Sequence, residues 1–329
     1  MTGDCAPRTL ADLDEDGLLA QTLPRFATSD DVLVGPGDDA ALLQVRTGAV
    51  IATTDTMVLG RDWLDEWSTG SDVGHKIVVQ NVADIAAMGG RCTGLLVTLI
   101  ADPATPLQWV LDFNAGVDEA ATAAKTVVLG GDLSSAPPGV RAVSVTALGE
   151  LDGVSPVLRS GAQVGDVIAV CGTLGHAAAG LLLLQRDSGD APEAGPVASD
   201  LVLAQRRPRA PYKQGPVAAR AGATSMLDVS DGLVRDAGRI ARASGVRLDL
   251  DVDALAPDIE MLAPAVGPDA ARECVLAGGE EHALLATFPP EGVPAGWRTI
   301  GSVLPGDGVT LGKVPQTGGG WDHFGARFR

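Results

Sequence analysis

The chain has 329 residues, 46% of them hydrophobic and 3% aromatic, with a formal net charge of −18. That length exceeds what one core usually supports, so two domains are expected, their interiors built from Ala, Val, Leu and Ile. A pI near 4.5 argues against a nucleic-acid partner and against a polybasic membrane patch, because both select basic surfaces.

The first residues, MTGDCAPRTLADLDEDG, are acidic and lack an apolar stretch, so no signal peptide is expected. Residues 8–25 alternate apolar and acidic positions and are read as an opening helix. AVIATTDTMVL (49–59) reads as a strand running into a polar turn. SDVGHKIVVQNVADIAAMGG (71–90) reads as a helix with Ile77, Val78, Val82, Ile85 and Met88 on one face and Gly89 to close it. GLLVTLIA (94–101) is a buried strand, far too short to span a bilayer. A second helix follows over 107–125. TVVLGGDLSS (126–135) reads as a strand ending in a Gly-Gly-Asp turn, and 140–151 alternates as another strand. The first half is therefore a mixed α/β unit.

A boundary is expected near 152, giving domains 1–152 and 153–329. Beyond it, 165–175 is a strand entering a Gly turn and 176–186 a helix. Residues 187–200 have loop composition. Residues 225–245 read as strand, turn and helix, 246–253 as a strand, 276–288 as a Gly turn into a strand, and 314–325 as a loop. Cys5, Cys92, Cys171 and Cys274 form no C-x-x-C pair, so free thiols in a reducing cytoplasm are expected.

The chemistry-bearing pattern is acidic. Asp residues sit beside Gly, Ser or Thr at strand ends: Asp38 and Asp39 in GDDA, Asp55 after Thr53 and Thr54, Asp132 in GGDLSS, and Asp228 and Asp231 around Ser230 in DVSDGL. Any one of them can be an Asx turn or a helix cap. Asp84 differs, because it lies in an apolar helical stretch with Asn81 three residues earlier on the same face. A buried carboxylate needs a partner. The chain has only four lysines, Lys76, Lys125, Lys213 and Lys313, and no Lys or Arg adjoins Asp84. Magnesium answers that need, since it prefers carboxylate and water oxygens and bridges proteins to phosphates. The glycines of GGD (130–132) and SDG (230–232) would place backbone N–H groups where phosphate can approach. Neither a G-x-x-x-x-G-K-[ST] loop nor a kinase-type Gly-rich loop is present.

GDDAALL, TTDTMVLG, NVADIAAMGG, GGDLSS, VLRSGAQVGDVIAVCGTLG, LDVSDGL, GGEEHALL and GWDHF, taken in order, resemble the thiamine-monophosphate kinases. Those belong to the ATP-using superfamily of aminoimidazole ribonucleotide synthetase and selenophosphate synthetase. The resemblance implies a mixed α/β fold of two PurM-like domains, with the N-terminal sheet mediating a homodimer. It implies phosphorylation of thiamine monophosphate by ATP with Mg²⁺. Asp39, Thr53, Thr54, Asp55, Asp84, Asp132, Asp228 and Asp231 would hold the metal, with Asp55, Asp132 and Asp231 central to catalysis. Gly131, Asp132, Arg159 and Ser230 would contact ATP, and Asp62, Glu280 and Trp321 the thiamine substrate.

The family usually has His-Phe where this chain has Asp62-Trp63, and GGEDYEL where it has GGEEHAL. Two other readings stay open at this point. One is a sibling synthetase, disfavoured by the absence of a reactive Cys or Lys near the N-terminus. The other is a nucleotide- or thiamine-phosphate-binding protein without turnover.

Overall fold

The computed structural model describes residues 8–13, 15–35, 41–186 and 196–316. It separates into two units, Met1–Val82 with Cys92–Glu150, and Ala83–Arg91 with Leu151–Arg329. Among the described residues no helix is long and apolar enough to cross a membrane.

The first unit opens with helix α1 (Glu15–Thr22), flanked by 3-10 turns at Leu10–Asp12 and Leu23–Arg25. The single helix read over 8–25 is thus broken into three pieces. Pro24 lies within the last of them, where its ring and missing N–H prevent α1 from continuing. Strands β1 (Val32–Val34) and β2 (Leu42–Leu43) pair antiparallel. Then come β3 (Ile51–Val58), α2 (Gly70–Ala87), β4 (Arg91–Ala101), α3 (Leu107–Ala124), β5 (Val128–Ser135) and β6 (Arg141–Glu150). The last four strands form one sheet in the order β3-β6-β4-β5. On β6, Val143, Val145 and Ala147 are buried while Ala142, Ser144 and Thr146 are partly exposed, the period of two that a strand with one covered face requires. The buried Ile77, Val78 and Val82 of α2 and Val110, Phe113 and Val117 of α3 repeat at helical spacing.

A second element differs from its sequence reading. GGDLSS is no turn. β5 runs through Gly130, Gly131 and Asp132 and pairs in parallel with β4 as far as Ser135. The glycine serves close approach, because a Cβ on Gly131 would lie 1.7 Å from the Val97 carbonyl oxygen.

The second unit contains β7 (Val167–Cys171), α4 (His176–Arg186), α5 (Pro196–Arg206), α6 (Gln214–Arg220), β8 (Ser225–Val229), α7 (Leu233–Ser244) and β9 (Arg247–Leu250). These are followed by α8 (Val252–Val266), α9 (Pro268–Ala277), β10 (Ala283–Phe288), β11 (Arg298–Leu304), β12 (Gly308–Leu311) and β13 (Val314–Gln316). Two segments read as loops carry structure: α5 begins at Pro196, and β13 occupies the start of 314–325. The remaining parts of both loops lie outside the described residues.

The seven strands form a mixed sheet, β13-β12-β9-β11-β7-β10-β8. Every residue of β8 and β10 is buried, which means both faces are covered. Leu227, Val229 and Leu285 join a core with Ile240, Leu255, Leu262 and Val275. Met226, Leu284 and Phe288 join another with Ala87, Ala218 and Trp297. Alternation therefore puts Asp228 on the face that also receives the end of α2.

Candidate functional site

Two turns of the second unit, distant in sequence, lock together at the end of the β8–β10 pair. Glu280 N–H donates to the Ser230 carbonyl (2.8 Å), and His282 N–H donates to the Val229 carbonyl (2.9 Å). Gly279 is required here, since a Cβ on it would lie 2.3 Å from the Ser230 carbonyl oxygen. Glu280 and His282 both have left-handed backbone, φ 64° and 54°. For residues other than glycine that conformation is uncommon and is kept only where the surroundings enforce it. The arrangement brings Asp228, Ser230, Asp231 and Glu280, which the sequence singled out, to one place together with His282.

The SDG turn does not offer its amides to a phosphate. Asp236, fully buried in the first turn of α7, folds back and accepts hydrogen bonds from the backbone N–H groups of Ser230 (3.1 Å), Asp231 (3.0 Å) and Gly232 (3.1 Å) through Oδ2. Its Oδ1 takes Arg239, which also grips Asp231. Asp231 has a second cation, Arg235, at 3.8 Å. The anion-binding nest expected for an incoming phosphate is thus filled by an internal carboxylate. Burial, only partly opposed by Arg239, raises the Asp236 carboxyl from 3.8 to about 6.

His282 is buried, and its Nδ1 lies 3.0 Å from Asp228 Oδ2. Burial pulls the imidazole pKa down, but the hydrogen bond and charge of Asp228, helped by Glu280 and Asp84, outweigh it, and the net shift is upward. One buried ring therefore senses three of the sequence-selected carboxylates. Glu280 Oε2 accepts from Gln205 Nε2 (2.8 Å). Glu281 is buried, accepts from the Thr173 hydroxyl and from Ala177 N–H (2.9 Å), and so anchors the start of α4; burial raises its carboxyl. Asp236, Gln205 and Glu281 were not selected from sequence. Only Asp236 left a signal there: an acid in the first turn of a helix that follows Ser-Asp-Gly.

Asp84 is half-buried on the last turns of α2. Asn81, one turn earlier, is fully buried; its amide donates to the Ile77 carbonyl (2.8 Å), and its Oδ1 has no hydrogen-bond partner among the described residues. Arg159 is exposed, with Ser244 Oγ donating to its carbonyl (3.1 Å).

In the first unit, Thr53 and Asp55 share a face of β3 with the buried Met57, whereas Thr54 faces the other way and donates to the Val145 carbonyl (3.0 Å). Asp132 is exposed on β5 and accepts from Ser134 Oγ (2.9 Å). β3 and β5 are opposite edges of the sheet, three strand spacings or about 14 Å apart. Asp55 and Asp132 of one sheet are therefore not placed to share an ion. Asp62 Oδ2 accepts from Val58 N–H (2.7 Å), closing the turn after β3. Asp39 and Trp321 lie outside the described residues.

The family described as AIR synthase related protein matches with its N-terminal domain over residues 37–151 and with its C-terminal domain over 163–313. A thiamine-monophosphate kinase of Mycobacterium tuberculosis is 44% identical over 324 residues, 96% of this chain and 93% of the relative. The chain belongs to the thiamine-monophosphate kinase family. A crystal structure of a thiamine-monophosphate kinase from Stenotrophomonas maltophilia K279a superposes with a TM-score of 0.78 at 34% identity, covering 92% of this chain and 96% of that one. A second solved chain, AaThiL complexed with AMPPCP and TMP, gives 0.77 at 30% identity, covering 97% and 100%.

Membership of the kinase family implies a divalent ion. Among the described residues no three or more His, Cys, Asp or Glu side chains form a ready-made metal cluster. Magnesium does not need one, because it is commonly held by one or two carboxylates, waters and substrate phosphates. The donors present suit it. Asp84 and Asp228 offer hard carboxylate oxygens, and Asn81 Oδ1 is a buried oxygen with no partner among the described residues.

Proposed function

We propose that this chain transfers the γ-phosphoryl group of ATP to thiamine monophosphate, giving thiamine diphosphate and ADP. The observation that carries the reading is the likeness, over 97% of the chain, to AaThiL complexed with AMPPCP and TMP. The acceptor phosphate is largely dianionic at neutral pH, its second pKa being about 6. Its oxygen attacks the γ-phosphorus in line, the bond from that phosphorus to the bridging oxygen breaks, and ADP leaves. No side chain has to remove a proton, and no phosphoenzyme forms. The task left to the protein is to bring two anions together and hold them in line.

When bound, magnesium supplies the charge neutralisation that two converging phosphates require. Asp39, Thr53, Thr54, Asp55, Asp84, Asp132, Asp228 and Asp231 are the residues that would hold the ions, with Asp55 and Asp132 of one sheet serving different ones. Gly131, Asp132, Arg159 and Ser230 are assigned to the nucleotide. For Ser230 the hydroxyl is the group left to do this, since its N–H is taken by Asp236. Glu280, Asp62 and Trp321 are assigned to the thiamine moiety, and Gln205 fixes the Glu280 carboxylate.

A homodimer through the first-unit sheet belongs to the same proposal. That sheet leaves Val58, Leu96 and Ile100 between 37% and 38% exposed, an apolar face a second copy would bury. Sedimentation at micromolar concentration tests it. The activity is tested by coupled ADP release with purified protein, ATP and Mg²⁺. ADP should form with thiamine monophosphate and not with thiamine. ADP release indifferent to the acceptor would refute the assignment.

A further inference from the structure

Among the described residues at the site, His282 is a buried group with one ring nitrogen left without a partner. A histidine that ties a core together is normally satisfied at both nitrogens, because a buried polar atom without a partner costs free energy. Here the ring is 3% exposed, Nδ1 meets Asp228 Oδ2 at 3.0 Å, and Nε2 has no partner among the described residues. All the polar work of the ring is directed at one carboxylate. An ionised Asp only accepts, so Nδ1 carries the proton and Asp228 Oδ2 is the acceptor. That bond occupies one oxygen and fixes the plane of the carboxylate, so Oδ1 is the oxygen Asp228 presents to an ion. The left-handed backbone of His282 and its N–H bond to the Val229 carbonyl set the ring in place. Those two constraints tie the ring to β8, the strand that carries Asp228.

We propose that His282 is a positioning residue that holds the Asp228 carboxylate in the orientation in which it binds a divalent cation. This rests on the reading of Asp228 as a metal ligand made above. Metal-ligating carboxylates are themselves oriented by hydrogen-bond donors, and loss of such a donor typically weakens metal binding by about 10–100-fold. His282 touches neither the ion nor the nucleotide and acts only through Asp228.

Mn²⁺ binding to the full chain with AMPPCP, followed by electron paramagnetic resonance, tests the proposal without turnover. His282→Asn keeps a donor near the Nδ1 position; His282→Gln moves it toward Nε2; His282→Phe fills the volume with none. Expected is Mn²⁺ affinity within about threefold of wild type for His282→Asn, and a loss of about 10–100-fold for His282→Gln and His282→Phe. Steady-state Mg²⁺ dependence should shift in the same order while KM for thiamine monophosphate holds. Equal Mn²⁺ affinity for the Asn and Gln variants would overturn the proposal even if His282→Phe fails to fold, since a merely structural role does not distinguish where the donor sits. A wild-type protein that binds no Mn²⁺ with AMPPCP would overturn the metal reading of Asp228 and this inference with it. Wild-type binding with equal variants overturns the inference alone.

Discussion

Asp236 gives the sharpest test of how the SDG turn is built. In Asp236→Ala the three N–H groups of Ser230, Asp231 and Gly232 lose their acceptor, and Arg239 keeps only Asp231. Hydrogen bonds to a charged group contribute about 1.5–3 kcal/mol each and are not additive when they share one oxygen; Arg239, 27% exposed and still paired with Asp231, adds little to the loss. The expected loss is about 3–5 kcal/mol. At roughly 2–4 °C per kcal/mol for a unit of this size, the melting temperature falls by about 6–20 °C.

Asp236→Asn behaves differently. The wild-type carboxyl is raised from 3.8 to about 6, so the folded protein holds this proton more tightly than the unfolded chain. The stability it contributes is complete below pH 3.8 and is lost as pH rises through about 6. The shift corresponds to about 3 kcal/mol at 1.36 kcal/mol per unit. Asparagine never ionises, so its stability relative to wild type should rise by about that amount between pH 3.5 and 7. Part of the gain at neutral pH is offset because the amide N–H₂ faces Arg239. Urea unfolding of wild type, Asp236→Asn and Asp236→Ala at several pH values reads both effects. Parallel pH profiles for wild type and Asp236→Asn, or an unchanged midpoint for Asp236→Ala, would refute the reasoning.

Asp55→Ala should reduce kcat by about 10²–10³-fold with little change in melting temperature, if removing a charge-neutralising group costs what loss of one transition-state donor does; near-normal turnover with thiamine monophosphate would remove Asp55 from the site. Gly131→Ala places a methyl 1.7 Å from the Val97 carbonyl, so β5 must shift; the expected cost is about 1–3 kcal/mol, read by denaturant unfolding, together with weaker AMPPCP binding by calorimetry. Cys274 is buried, and burial with the neighbouring Glu273 raises its thiol to about 11. Iodoacetamide at pH 8 should leave it unmodified by mass spectrometry until urea is added.

Most of the regular elements were legible because their signal is local. α2 and α3 announce themselves through apolar residues at helical spacing, and β6 through strict alternation. β5 was misread at its end because Gly-Gly looks like a turn; the reason for Gly131 is a neighbouring strand, and no local pattern reports one. α5 was hidden for a similar reason. Its N-terminal proline is at home in a first helical turn, yet beside Gly and acidic residues it reads as loop.

At the site, Asp228, Ser230, Asp231 and Glu280, named from motif order and the family likeness, lie on two turns that meet in space. The use of the SDG amides was misjudged, because the competing anion Asp236 looked like one more polar position on an amphipathic helix. Gln205 was out of reach altogether: its partner Glu280 is 75 residues away, and nothing in its own neighbourhood marks it. His282 stood out as a departure from the family pattern and as a histidine beside Glu280. Its bond to Asp228 required the two turns to be seen together.

The proposed phosphoryl transfer depends on where the divalent ions bind. Crystals grown with Mn²⁺, AMPPCP and thiamine monophosphate, measured at an anomalous wavelength, would locate them. Expected are peaks about 2.0–2.3 Å from carboxylate oxygens of Asp84 and Asp228 and from the nucleotide's phosphates. Manganese bound to the triphosphate alone, with those carboxylates beyond reach, would contradict it.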